Sequence, residues 1–186
     1  MAATYTSGIV FLTMYMAALL CSALLSIGVL HSFIARNRHQ RGAYWLGGFM
    51  FAIAWWSVTL FGELMADNLA TKIFWKKLQL PAGAAVSVLA LLFVLEYVNE
   101  SRWLARKYLI GYWIPPLLIT LLAWTNEWHE LVWSNIPAQT MERFTLITFQ
   151  QGPAYWLMMV YAYGCLLAAV IWLFRYARTQ QGLYRR

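Results

Sequence analysis

Two acidic side chains inside long apolar stretches are the strongest candidates for chemistry in this sequence. Glu63 lies near the end of the second apolar stretch, and Glu96 lies near the end of the third. A charge within hydrocarbon is costly, so such a residue usually faces other helices and has a partner. We expect Glu63 to pair with Lys72 or Lys76 or to bind a cationic group, the alternative being a water-exposed helix end. For Glu96 an interfacial position is the expectation.

The sequence contains no pattern that predicts catalysis or a metal site. It has no Walker loop and no GxSxG motif. It also has no HExxH motif, because His129 and Glu130 are followed by Leu-Val-Trp. The three histidines lie in separate segments. His31 could ligate a pigment, although a hydrogen-bonded histidine at the membrane interface is the expected role. We therefore predict no enzyme activity, no metal and no cofactor, with a bound lipid or pigment left open.

The composition identifies the class of protein. Of 186 residues, 62% are apolar and 11% are charged, against about 25% charged residues in soluble domains. Such a chain cannot hide its apolar surface from water, which excludes soluble and disordered classes. The excess of Lys and Arg lies in short clusters between apolar stretches. This pattern is typical of contact with lipid head groups and not with nucleic acid.

Five stretches are long and apolar enough to cross a bilayer, which takes about 20 residues per helix. The predicted fold is an all-α bundle, one transmembrane domain over residues 1–186, with helices at about 8–34, 44–66, 80–98, 108–125 and 155–176. The connection at 126–154 is the longest, and connections of this length usually carry structure or function. Its stretch ERFTLITFQ, residues 142–150, has strand-like content and suggests a short hairpin.

The distribution of basic residues predicts the orientation. Ten Lys and Arg residues flank the helices on one side and four on the other. The richer side is normally cytoplasmic, so we expect the N-terminus outside and the C-terminus in the cytoplasm. The protein is then a multi-pass protein of the bacterial inner membrane.

Proline positions and one polar segment indicate how the helices are built. Pro81 is expected at the start of the third helix, where its missing N–H costs little. Pro115 and Pro116 should kink the fourth helix, which requires neighbours to satisfy the freed carbonyls. The segment at residues 67–79 is interpreted either as an extension of the third helix or as an interfacial helix.

These elements place one group of polar and aromatic side chains at the predicted outer face. Asn126 is expected to cap or brace the end of the fourth helix, since its amide both donates and accepts. His129 is expected to lie against the bundle and bond to a backbone carbonyl. The candidate ligand-binding group is Glu63, Lys72, Trp75, Lys76, Asn126 and His129.

Five segments in order give the chain a family likeness. It resembles the N-terminal seven-transmembrane sensor region of bacterial histidine kinases over most of residues 10–178. The segments that carry the resemblance are WWSVTLFGEL (55–64), KIFWKKLQLPAG (72–83), FVLEYVNESRWLAR (93–106), IPPLLITLLAWTNEWHELVW (114–133) and GPAYWLMMVYAY (152–163).

The resemblance implies a sensory input module that detects a ligand or a membrane cue at its outer face. The family has seven helices, whereas five are predicted here, and these 186 residues contain no phosphoacceptor helix or ATP-binding domain. The chain is therefore expected to be either part of a longer receptor or a five-helix protein on the same scaffold. The alternative function is an accessory subunit of a respiratory or photosynthetic membrane complex. Both readings imply the lipid bilayer and other membrane chains as partners, and neither names the ligand.

Overall fold

The computed structural model describes residues 2–36, 42–134 and 149–183, with side chains described for 14–32, 42–134 and 149–179. Its helices and strands follow in chain order: α1 (Ala2–Arg36), α2 (Ala43–Met65), α3 (Leu69–Tyr97), a 3₁₀ turn (Ser101–Leu104), α4 (Arg106–Trp124), α5 (Asn126–His129), β1 (Trp133–Ser134), β2 (Gln150–Gln151) and α6 (Pro153–Leu183). Five of the described helices, all except α5, are long and apolar enough to cross a membrane. The predicted all-α, five-helix fold is confirmed.

Helix α3 is the centre of the bundle. Of its most apolar stretch 56% is buried, against 11–22% in the other four long helices. It packs on α2, α4 and α6, whereas α1 packs mainly on α2. Its C-terminal half forms a core with α6, in which Leu92 and Leu95 are fully enclosed. Helices α2, α4 and α6 therefore take their positions from α3.

The third helix begins earlier than the apolar pattern predicts. Asn68 caps it, since its side-chain oxygen accepts a 2.8 Å hydrogen bond from the Thr71 N–H. Residues 69–79 are thus a continuous extension of α3 and not a separate interfacial helix. The expectation that Pro81 starts this helix is wrong, because Pro81 lies inside it. The Trp55 indole donates to the Leu78 carbonyl in the turn before this proline, over 2.9 Å.

The second proline of α4 frees a backbone carbonyl that a neighbouring helix satisfies. Helix α4 runs through Pro115 and Pro116, and Pro116 has no N–H to donate to the Tyr112 carbonyl four residues earlier. The Tyr161 hydroxyl of α6 donates to that carbonyl over 2.8 Å. The expectation that a neighbouring helix satisfies a freed carbonyl is confirmed at this position, and the bond also fixes α6 against α4.

A short antiparallel pairing closes the long connection. Trp133 pairs with Gln151, and Ser134 pairs with Gln150. The strand-like stretch 142–150 is described only for its last two residues, so most of the predicted hairpin lies outside the described residues. The next residue, Gly152, is packed so tightly that a Cβ there would lie 2.2 Å from the Leu131 carbonyl oxygen. Helix α6 therefore starts directly against the connection.

The contact between α2 and α3 gives a prediction for Gly62. A Cβ at this position would lie 2.6 Å from two ring atoms of Trp75, so we expect Gly62→Ala to cost about 1–3 kcal/mol of stability. Gly111→Ala is the matched control, because a Cβ there meets nothing within 4 Å and alanine favours helix. Unfolding in mixed micelles, followed by circular dichroism, measures both. Equal stability of the two variants would contradict the packing described here.

Candidate functional site

The predicted acid is buried between two helices and has a lysine partner. The Glu63 side chain is 0% exposed on α2, and its Oε2 lies 3.4 Å from the Lys76 Nζ of α3. The Lys72 Nζ donates to the Glu63 backbone carbonyl over 3.3 Å. Lys72 and Lys76 are four residues apart and share one face of α3. The predicted pairing of Glu63 with a lysine is confirmed, and the three side chains form a charge cluster between α2 and α3.

One oxygen of this cluster is not satisfied by the described residues. Glu63 Oε1 is buried and has no hydrogen-bond partner among them. A buried acceptor without a partner costs about 1–3 kcal/mol. The cluster therefore holds α2 and α3 together, although one carboxylate oxygen of Glu63 accepts no hydrogen bond from the described residues. Such a group can respond when a neighbouring charge moves or changes.

A second charge pair joins α3 to the long connection between α4 and α6. Lys77 donates to Glu127 of α5, and its ammonium lies 5.7 Å from the Trp124 ring centroid. This hydrogen bond holds the pKa of the Glu127 carboxyl below its ordinary value. Sequence reasoning did not select either member of this pair. The only signal was the adjacency of Lys77 to Lys76, which on a helix points the two side chains about 100° apart.

Asn126 holds the start of the connection between α4 and α6. It is buried, its amide nitrogen donates to the Trp133 carbonyl over 2.8 Å, and its oxygen accepts from the Val132 and Trp133 N–H groups over 2.9 and 3.3 Å. The expected capping of α4 is therefore replaced by bracing of the loop that follows. Two backbone hydrogen bonds link this loop to the start of α6. The Gly152 N–H donates to the Val132 carbonyl, and the Ala154 N–H donates to the Leu131 carbonyl.

His129 bonds differently from the expectation. Its Nδ1 accepts from the Leu131 N–H over 3.0 Å, and its Nε2 lies 3.1 Å from the Thr125 hydroxyl. An accepting Nδ1 places the proton of a neutral ring on Nε2. The expected bond to a backbone carbonyl is wrong, because the sharp turn at Glu130, with φ of 52°, brings the Leu131 N–H to the ring instead.

The structure thus divides the six candidate residues into three places. Glu63, Lys72 and Lys76 form the charge cluster, whereas Asn126 and His129 lie in the connection. Trp75 lies on Gly62 of α2 and lines a separate surface depression at the α2–α3 turn. The link between cluster and connection is the neighbouring pair Lys76 and Lys77, which face α2 and α5 respectively.

The described residues contain no group of three or more His, Cys, Asp or Glu side chains that could hold a metal ion. The described residues form a groove of about 590 Å³ between α3 and α6, closed at one end by the β1–β2 pair. Lys76 lines this groove. The charge cluster, the connection and α6 therefore meet along one side of α3.

Comparison with known proteins gives one match. A family model described as the N-terminal 7TM region of histidine kinase matches residues 6–186. No match was found among curated proteins or among solved structures.

The charge cluster gives a prediction for Glu63→Gln. Removing one partner of a buried pair usually costs about 3–5 kcal/mol, and we expect about 1–3 kcal/mol because the Lys76 side chain is 29% exposed. The control is Glu100→Gln, whose partner Arg102 is largely exposed, with an expected loss below about 0.5 kcal/mol. A double-mutant cycle with Lys76→Gln measures the coupling. No coupling between positions 63 and 76 would remove Glu63 from the site.

Proposed function

Because the chain belongs to the family of N-terminal seven-transmembrane regions of histidine kinases, we propose that it detects a ligand or membrane cue at its outer face. The family is a sensory input module and not the catalytic part of those receptors. The proposed signal begins as a change at the charge cluster or in the connection braced by Asn126. It then moves α6 relative to α2.

The observation that carries this proposal is the direct attachment of α6 to the connection. The N–H groups of Gly152 and Ala154 donate to the carbonyls of Val132 and Leu131. These hydrogen bonds tie the first turn of α6 to the loop that Asn126 holds. Helix α6 has 31 residues, which is about 46 Å at 1.5 Å per residue. It therefore exceeds the hydrocarbon thickness of about 30 Å. One continuous helix thus joins the connection to the opposite side of the membrane.

We further propose that the connection lies outside the cell and that the far end of α6 lies in the cytoplasm of a bacterial inner membrane. Ten Lys and Arg residues against four support this orientation. Two of the four outer cations, Lys76 and Lys77, are paired with acids. The rule counts Lys and Arg whether or not they are paired with acids, so the excess of ten over four is what supports the orientation.

The orientation predicts which positions a membrane-impermeant maleimide reaches in intact cells. With Cys21→Ser as background, Trp128→Cys should react before lysis, because Trp128 is 87% exposed on α5. Arg178→Cys, at the far end of α6, should react only after lysis. The reverse order of labelling would contradict the proposed topology.

The sensory function predicts that loosening the connection moves the far end of α6. Spin labels at Tyr44 and Arg178, both exposed, report the distance between α2 and α6 in a Cys21→Ser, Cys165→Ala background reconstituted in nanodiscs. We expect Asn126→Ala to shift this distance by about 2 Å or more, the scale of helix shifts in known switches. The reason is that the variant loses all three side-chain bonds to the loop.

Trp128→Ala is the matched control for this experiment. It changes the same short helix, but its side chain is exposed to solvent, so the distance should stay at the wild-type value. A distance that is unchanged in Asn126→Ala would contradict the sensory proposal. It would favour the alternative of an accessory subunit in a larger membrane complex.

A further inference from the structure

The groove between α3 and α6 is lined along its length by one face of each helix. On α3 the lining residues recur every three or four positions, from Lys76 through Gln79 and Gly83 to Ser87. On α6 they run from Tyr155 to Leu166 with the same spacing. Eleven residues of helix correspond to about 16 Å. The groove is therefore elongated along the membrane normal, and its volume of about 590 Å³ suits a small-molecule ligand.

The end of the groove nearest the connection is polar. Lys76 is the only charged residue in its described lining, and one hydrogen-bond partner, Glu63, leaves its ammonium with donors to spare. Gln79 lies one turn further along α3 and is only 6% exposed. No described residue exchanges a hydrogen bond with its side-chain amide, so the amide is free to bond to a molecule in the groove that Gln79 lines. This end is built to receive hydrogen-bonding atoms from outside the described chain.

The rest of the groove is apolar and has free width. Gly83 forms part of its wall, and a Cβ there would meet nothing within 4 Å. Met158, Met159 and Leu166 line the opposite side. Methionine side chains are flexible and adapt to ligands of irregular shape. A hydrocarbon chain is the occupant that this part of the groove fits.

We propose that the groove binds a single-chain amphiphile whose anionic head group, a carboxylate or a phosphate, lies against Lys76 and Gln79, with its hydrocarbon tail between α3 and α6. The described lining offers one cation and two amides, Gln79 and Gln151, but no carboxylate, so a cationic head group would meet Lys76 unfavourably. An anionic head group accepts from both side chains. It also competes with Glu63 for Lys76, which links occupancy of the groove to the contact between α2 and α3.

This inference deepens the proposed sensory function and rests on it, since it names the class of ligand. The test uses the full chain in phosphatidylcholine nanodiscs and a fluorescent polyene fatty acid as the probe, read by energy transfer from tryptophan. Empty nanodiscs give the partition background. Competitors of equal chain length are an alkyl carboxylate, an alkyl phosphate, an alcohol and a trimethylammonium. The expected result is saturable binding displaced by the two anions, with the stronger one identifying the head group.

Matched variants locate the site. Gly83→Leu should weaken binding by about tenfold or more, equivalent to about 1.4 kcal/mol, because its side chain fills the tail region. Gly111→Leu should leave the affinity within about twofold, since it makes the same change on α4 away from the lining. Gln79→Leu should weaken binding of the carboxylate and phosphate but not of the alcohol. Gln79→Leu removes no side-chain hydrogen bond within the described residues, so we expect the fold to be kept. Lys76→Gln is less suitable, because it also breaks the pair with Glu63.

Three results would overturn the inference: wild-type affinity in Gly83→Leu, equal displacement by alcohol and carboxylate, or an oligomer that Gly83→Leu alone dissociates. The last would mean that a helix of another chain occupies the groove. Failure of the ligand class is separable from failure of the sensory function. If no amphiphile binds but Asn126→Ala still moves α6, the inference is wrong and the function stands. If the anions bind but α6 does not move, the site stands and the sensory function is wrong.

Discussion

The structure depends on pairing one buried acid, Glu63, with lysines of the neighbouring helix. Glu63 is buried on α2, and the two lysines that approach it come from the same face of α3. An isolated carboxylate in hydrocarbon is costly, while pairing and hydrogen bonding recover much of that cost. The pairing therefore fixes the register of α2 against α3. Because α3 also contacts α4 and α6, this register sets the position of the other helices.

The same helix contacts both the connection and the bundle. Lys76 faces Glu63, and its neighbour Lys77 faces Glu127. One turn of α3 is therefore held from two sides, by α2 and by the connection. The groove borders this turn, and α6 forms its opposite wall. A perturbation of this turn reaches α2, the connection and α6 through direct contacts, which is what the proposed sensory function requires.

The sequence predicts the five membrane helices well, because their lengths and apolar content are set by the bilayer itself. It also offers Lys72 and Lys76 as partners of Glu63, and the structure selects Lys76 for the ion pair. The start of α3 was missed because residues 69–79 are amphipathic, so no apolar stretch marks the boundary that Asn68 caps. The burial of Gln79 beside the groove was also missed, because a glutamine in an amphipathic stretch is normally expected to be exposed.

We expect the charge cluster and the start of α6 to be mechanically coupled through α3. Amide hydrogen exchange of the wild type and Glu63→Gln, followed by mass spectrometry in nanodiscs, measures this coupling. Faster exchange is expected in the first turns of α3 and also in residues 126–134 and at the start of α6. Faster exchange confined to the turn around residue 63, with α6 unchanged, would contradict it.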